Sequence, residues 1–178
     1  MSKYIIYILG IMLFGCGQKN KHDSIELITD AGKQDVIFKN LVGLTGNAIA
    51  DNIHKDSLAF LILPVQASCP SCRKKTIDSI VKHQDDLPEK HYIIISSIGG
   101  RKTINGFFRE VDKELPVMKN ELFLDSTNQA FKLELYEKKP TIYYTYDQKA
   151  YKKVAAIPST VRQDLQEFFS GQRNENKD

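Results

Sequence analysis

The sequence predicts an α/β fold in which a central mixed β-sheet carries helices on both faces. Three observations support this. Ser57 to Leu63 (SLAFLIL) and Tyr92 to Ser97 (YIIISS) are continuous apolar runs of strand length, the pattern of strands buried on both faces. Segments with apolar residues at helical spacing alternate with them. The chain then closes with two strand-like stretches around a polar turn and a last amphipathic helix.

Taken in order, residues 25–44 are expected to form an N-terminal hairpin. The first buried strand, 57–63, should stop at Pro64, because a central strand cannot spare an N–H. Ile77, Ile80 and Val81 recur at helical spacing, so Pro70 to about His83 reads as a helix. Asp85-Asp86-Leu87-Pro88 breaks the chain before the second strand, 92–97. Gly99-Gly100 marks a loop, and Thr103 to Asp112 a helix weakened by Gly106. A short strand at Glu121 to Leu124 precedes a helix from Thr127 to Leu135 with Ser126 as its N-cap. Thr141 to Tyr146 and Tyr151 to Ala155 flank a turn at Asp147-Gln148-Lys149, the pattern of a hairpin. Pro158 to Phe169 is the closing helix, with Val161, Leu165, Phe168 and Phe169 on one face.

The 178 residues, 42% hydrophobic and 26% charged, suit one globular domain with a real core. The formal charge of +3 falls to +2 without the first fifteen residues, whose only charge is Lys3. A field that small recruits no nucleic acid. The clusters Arg73-Lys74-Lys75, Lys138-Lys139 and Lys152-Lys153 read as solvated faces. Residues 1–15 (MSKYIIYILGIMLFG) carry one lysine and then an apolar run from Tyr4 to Phe14. That run is shorter than the roughly 20 residues a membrane span needs and has the make-up of a secretory signal. Leu13-Phe14-Gly15-Cys16 resembles the lipobox of bacterial lipoproteins, with Phe14 where a small residue is usual. That resemblance implies cleavage before Cys16, lipidation of Cys16 and attachment to a membrane. The organisation is then a signal peptide (1–15), a lipidated N-terminus and tether (16–24), a domain (25–170) and a polar tail (171–178).

The chemistry centres on ASCPSCRKKT, residues 67–76, which holds Cys69 and Cys72. As a structural staple the pair is poorly placed: closing a loop of four residues removes only about 2 kcal/mol of unfolded-state entropy. As a zinc site it lacks a second pair, and His54, His83 and His91 have no ligand spacing, so no metal is expected. As a working dithiol it is well placed. A buried strand runs into it and a helix leaves it, with Pro70 at the first helical position that proline favours. Cys69 is thereby expected at the N-cap, where unpaired N–H groups and the helix dipole favour thiolate. Cys72, one turn in, is suited to resolve a mixed disulfide.

LAFLILPVQASCPSCRKK, YIIISS and ELFLDSTNQAFKLELYEKKPTIYYTYDQKAYKKV resemble the thioredoxin-like fold over about residues 57–155. The likeness is greatest to membrane-tethered, extracytoplasmic thiol-disulfide oxidoreductases of the TlpA/ResA type. The resemblance implies an enzyme of the cell envelope that reduces protein disulfides through Cys69 (nucleophile) and Cys72 (resolving). It needs no cofactor beyond the redox-active disulfide. Its partners would be a protein disulfide substrate and a membrane electron donor that recycles the dithiol. It further implies a cis peptide bond at Pro140, beside the dithiol, with the backbone of Lys139 offered to the substrate. The tryptophan that often precedes the first cysteine is replaced by Ser68, and the buried acid six residues before it by Leu63. The peroxidase pattern P-x-x-x-[ST]-x-x-C meets Ser71 at its cysteine position, which argues against peroxide reduction. The alternative to an oxidoreductase is a thioredoxin-like lipoprotein that binds or assembles partners, for instance one delivering copper through its two thiolates.

Overall fold

A computed structural model describes residues 24–171. Its organising element is a strand, β2 (Leu58–Pro64), every residue of which is buried. Parallel to it on one side runs β3 (His91–Ser96), and antiparallel on the other runs β5 (Thr141–Tyr146). The sheet is completed by β4 (Leu122–Asp125), parallel to β3, and by β6 (Lys149–Ala155) and β1 (Ile25–Leu27), which extend the antiparallel side. The strand order is β1-β6-β5-β2-β3-β4.

Because side chains alternate along a strand, β2 and β3 feed two cores. Leu61, Leu63, Ile93 and Ile95 point to one face, covered by helices α2 (Pro70–Lys82), α3 (Gly100–Arg109) and α5 (Val161–Ser170). Phe60, Ile62, Tyr92 and Ile94 point to the other, covered by α1 (Ala31–Leu44) and the short α4 (Gln129–Lys132). Burying each Leu, Ile or Phe side chain contributes about 1.5–3 kcal/mol, which is why apolar runs dominate both strands. The mixed sheet with helices on both faces is the α/β architecture expected from the sequence.

Several local expectations are corrected. The N-terminal hairpin over 25–44 is instead a three-residue strand followed by a helix of 14 residues. Asp30 caps that helix by accepting from the Lys33 amide at 2.6 Å, and Ile37, Phe38, Leu41 and Val42 form its buried stripe. Helix α3 begins at Gly100 rather than Thr103. Gly99 and Gly100, at φ +95° and +67°, form its entry instead of a separate loop. Ser126 caps nothing: the Asp125 carboxylate accepts from the amides of Gln129 and Ala130, both at 2.8 Å, and from Ser96 Oγ at 2.6 Å. With those amides held by a residue on β4, the helix shortens to four residues. The hairpin turn is two residues, Asp147 and Gln148, both at positive φ as the tight turn requires, so β6 starts at Lys149. The closing helix starts at Val161, not Pro158, and buries the four residues expected.

The proposed signal peptide, Cys16 and most of the tether and tail lie outside the described residues. Ser24, assigned to the tether, is 4% exposed and belongs to the domain. The registers Ile25–Val154, Thr141–Ala155 and Ile62–Thr141 place the start of β1 at the same end of the sheet as the end of β2. Among the described residues no helix is long and apolar enough to cross a membrane.

At the opposite end, the His91 ring packs on Phe168 of α5, with centroids 4.9 Å apart, and its buried Nδ1 has no partner. Burial holds this imidazole below its ordinary value, against a smaller opposing effect of the Phe168 backbone. The folded state therefore keeps His91 neutral while the unfolded chain takes up a proton below about pH 6.5. Stability should fall as the pH drops below that value, by at most about 1.4 kcal/mol per pH unit, and level off once the folded state also protonates. Denaturant melts of wild type and His91→Phe between pH 5 and 8 should differ in slope across that window, the variant being the flatter.

Candidate active site

β2 ends at Pro64, and the chain turns there. The Pro64 carbonyl accepts from the Ser68 amide at 3.0 Å, and the Val65 amide donates to Ser96 of β3 at 3.2 Å. The turn delivers Cys69 in an extended conformation (φ −57°, ψ 142°) immediately before Pro70, the first residue of α2. Cys69 is thus the N-cap. Its Sγ accepts from the Cys72 amide at 3.2 Å, and its carbonyl accepts from the Arg73 amide at 2.9 Å. One of the amides a helix start leaves without an intrahelical partner is therefore satisfied by sulfur.

The two thiols differ sharply. Cys69 is half-buried, Cys72 is 1% exposed, and both are free. Burial opposes ionisation of Cys69, yet hydrogen bonds with Cys72 and Ser71 outweigh it and hold the thiol below its ordinary value. The Ser71 hydroxyl lies 3.5 Å from Cys69 Sγ. Cys72 is pushed up to about 11, first by burial, then by its hydrogen bond to the Cys69 sulfur and by that sulfur's charge. Ser71 and the Lys75 ammonium pull weakly the other way. A half-buried thiol held below its ordinary value beside a buried thiol held above it is an arrangement that suits thiol–disulfide exchange.

The basic cluster behind the motif divides. Lys74 pairs with Asp78 at 3.1 Å on the exposed face, as a solvated lysine does. Arg73 does not follow that pattern: its side chain is 15% exposed and contacts Val65, Phe107 and Glu110. Lys152 is likewise held, by Glu167 at 2.9 Å and over the Tyr144 ring. Leu63 is fully buried, and Ser68 is buried with no partner for its hydroxyl. Among the described residues no three His, Cys, Asp or Glu side chains gather as a metal site.

Pro140 needs a correction. No peptide bond among the described residues is cis, so the Lys139–Pro140 bond is trans. Trans is favoured by about 0.5–1 kcal/mol even before proline. Here the trans chain also lets the Lys139 carbonyl accept from Thr141 Oγ1 at 3.1 Å and the Pro140 carbonyl accept from the Ala156 amide at 2.8 Å. Pro140 is buried, and it lies one step beyond the Ile62–Thr141 pair, hence at the sheet end from which the dithiol loop leaves. Half-buried Lys139 lines a cleft of about 240 Å³ with Ser24, Glu137, Thr141 and Ala155. Sequence reasoning assigned neither the Ser71 contact with Cys69 nor the inward turn of Arg73. Their positions between and directly after the cysteines were the available signal.

No protein-family model matches the chain. No curated protein matches it either. Among solved structures it is similar to the crystal structure of a candidate thiol:disulfide interchange protein DsbE from Chlorobium tepidum. The identity is 12%, over 67% of this chain and 82% of that one, with a TM-score of 0.41. The reading of the dithiol rests on this chain's own residues.

The alkylation rate of Cys69 should rise with pH through a midpoint below that of an ordinary cysteine, because thiolate is the reactive form. Ser71→Ala should move that midpoint up by as much as about one unit, the worth of one hydrogen bond. In Cys69→Ser the remaining thiol should titrate lower than in wild type, having lost the neighbouring negative charge.

Proposed function

We propose that this protein is an extracytoplasmic thiol–disulfide oxidoreductase that reduces protein disulfides through Cys69 and Cys72. The observation that carries the reading is the hydrogen bond from the Cys72 amide to Cys69 Sγ at the start of α2, with Cys72 buried beneath it. In the first step the Cys69 thiolate attacks one sulfur of a substrate disulfide. A Cys69–substrate disulfide forms and the other substrate sulfur leaves as thiolate. In the second step Cys72, having lost its proton to solvent, attacks Cys69 Sγ. The Cys69–Cys72 bond forms and the remaining substrate thiolate departs, so the substrate gains two electrons and the protein is oxidised.

The acidity pattern supports this order. In the mixed disulfide Cys69 is uncharged, so two of the three influences that raise Cys72 are gone. The resolving thiol therefore ionises more readily only after the first step has occurred. With Leu63 at the position of the usual buried acid, that self-timed release is the route by which Cys72 is activated. Lys139 and Pro140, at the same sheet end, are the proposed flank for the substrate backbone. Regeneration requires a dithiol or other two-electron donor, proposed to be membrane-bound. The apolar run before Gly15-Cys16 supports a lipid anchor at Cys16 and a location in the cell envelope.

The test is a pair of variants. Cys72→Ser should accumulate mixed disulfides with client proteins that dithiothreitol releases, and Cys69→Ser should accumulate none and lose insulin-reducing activity by at least about a hundredfold. Absence of trapped clients, or stoichiometric copper(I) binding by a wild type that reduces no disulfide, would defeat the reading in favour of a binding lipoprotein.

A further inference from the structure

Arg73 follows the resolving cysteine in the first turn of α2, and three contacts hold its side chain. Nη1 donates to the Val65 carbonyl at 3.0 Å, the guanidinium lies 4.4 Å from the centroid of the Phe107 ring, and Nη2 reaches Glu110 Oε2 at 3.4 Å. Val65 is the first residue after β2, whereas Phe107 and Glu110 belong to α3 and the residue that ends it. The Arg73 amide meanwhile donates to the Cys69 carbonyl at 2.9 Å. One residue thus grips both ends of the segment Val65–Cys69, by side chain at its start and by main chain at its end. A second tie runs parallel: Gln66 Oε1 accepts from the Ile98 amide, just before α3, at 2.7 Å.

A guanidinium drawn out of water in this way is not explained by solubility, since the neighbouring Lys74 serves the exposed face. Nor does its charge act on the nucleophile directly. The groups that acidify Cys69 are Cys72 and Ser71, and the guanidinium is turned toward Val65 and Glu110. What it controls is geometry. The loop it holds against α2 leads directly to Cys69, whose Sγ accepts from the Cys72 amide at 3.2 Å.

We propose that Arg73 is a positioning residue for the dithiol: by clamping Val65–Cys69 between α2 and α3 it keeps Cys69 Sγ on the Cys72 amide and so sets the reactivity and redox potential of the pair. The inference about potential rests on the oxidoreductase reading, but the inference about thiol reactivity does not. A loosened loop leaves the thiolate less stabilised, which disfavours the reduced form. In the exchange of the Cys69–Cys72 disulfide with two glutathione thiols, giving the dithiol and glutathione disulfide, the equilibrium then moves back toward the protein disulfide.

The experiment compares wild type, Arg73→Lys and Arg73→Gln in the full chain. It measures the pH profile of Cys69 alkylation by iodoacetamide and the equilibrium with glutathione, with folding checked by thermal melts. Lysine keeps the charge but not the planar fork or the stacking face. Both variants should therefore slow alkylation at pH 7 by about 3–10-fold and shift the glutathione equilibrium by a similar factor, where tenfold corresponds to about 30 mV. Phe107→Leu, which leaves the guanidinium but removes its platform, should give part of the same shift, and serves if Arg73→Gln does not fold. A lysine variant with the wild-type profile would overturn the proposal in favour of a charge effect. Lowered stability with an unchanged Cys69 profile would overturn it in favour of a merely structural role. A wild-type protein inert toward disulfide substrates would defeat the oxidoreductase reading and leave the alkylation comparison standing.

Discussion

A strand buried on both faces must end where its backbone can leave the sheet, and β2 ends at Pro64, which has no N–H to extend the ladder. That constraint shapes the whole reactive edge of the domain. The chain turns through Val65–Ser68, and Pro70 starts α2 with a backbone already suited to a helix, which leaves the residue before it as the cap. The cap is a cysteine, so the amide that a serine or aspartate would ordinarily accept meets sulfur instead. Core packing above and below β2 thereby becomes a chemical property of one atom at its edge. The Asp125 carboxylate does the analogous job at the end of β4, holding two amides of α4 and the Ser96 hydroxyl of β3, but with no exposed nucleophile.

Elements whose pattern has a single reading were legible from the sequence. β2 and β3 are apolar throughout because both faces are covered. α2 and α5 carry clean stripes, and β5 and β6 are strand-like runs on either side of a polar turn. Where two readings competed, the residues at the element boundary decided, and those were misjudged. Asp30 turns the stretch after β1 into a helix, Asp125 displaces Ser126 as a cap, and the double glycine at 99–100 opens α3 rather than preceding it. The placement of Cys69 was legible because proline at the first helical position names the cap before it. The role of Arg73 was not, because three consecutive cations give no sign of which one turns inward. That depends on Phe107 and Glu110, more than thirty residues away. The cis bond at Pro140 came from resemblance alone, and the hydrogen bonds of Lys139 and Pro140 are made by a trans chain.

The two sulfurs divide one task by environment. Cys69 is exposed enough to reach a partner sulfur and bonded enough to ionise, whereas Cys72 is kept protonated by burial and by its partner's charge. Because part of that hold comes from the partner's charge, it would weaken in the proposed mixed disulfide, where that charge is gone. A site of this kind has less need of a separate buried base, which fits an apolar Leu63 beneath it.

The start of β1 shares its end of the sheet with the dithiol, three strands across, which is a lateral separation of about 14 Å. Under the anchoring proposed at Cys16, the eight peptide links to Ser24 span at most about 28 Å. Such a leash would be short and would be fastened on the side of the dithiol. The domain would hang with its sulfurs turned toward the lipid headgroups, within reach of proteins embedded in that bilayer and away from clients diffusing in the bulk.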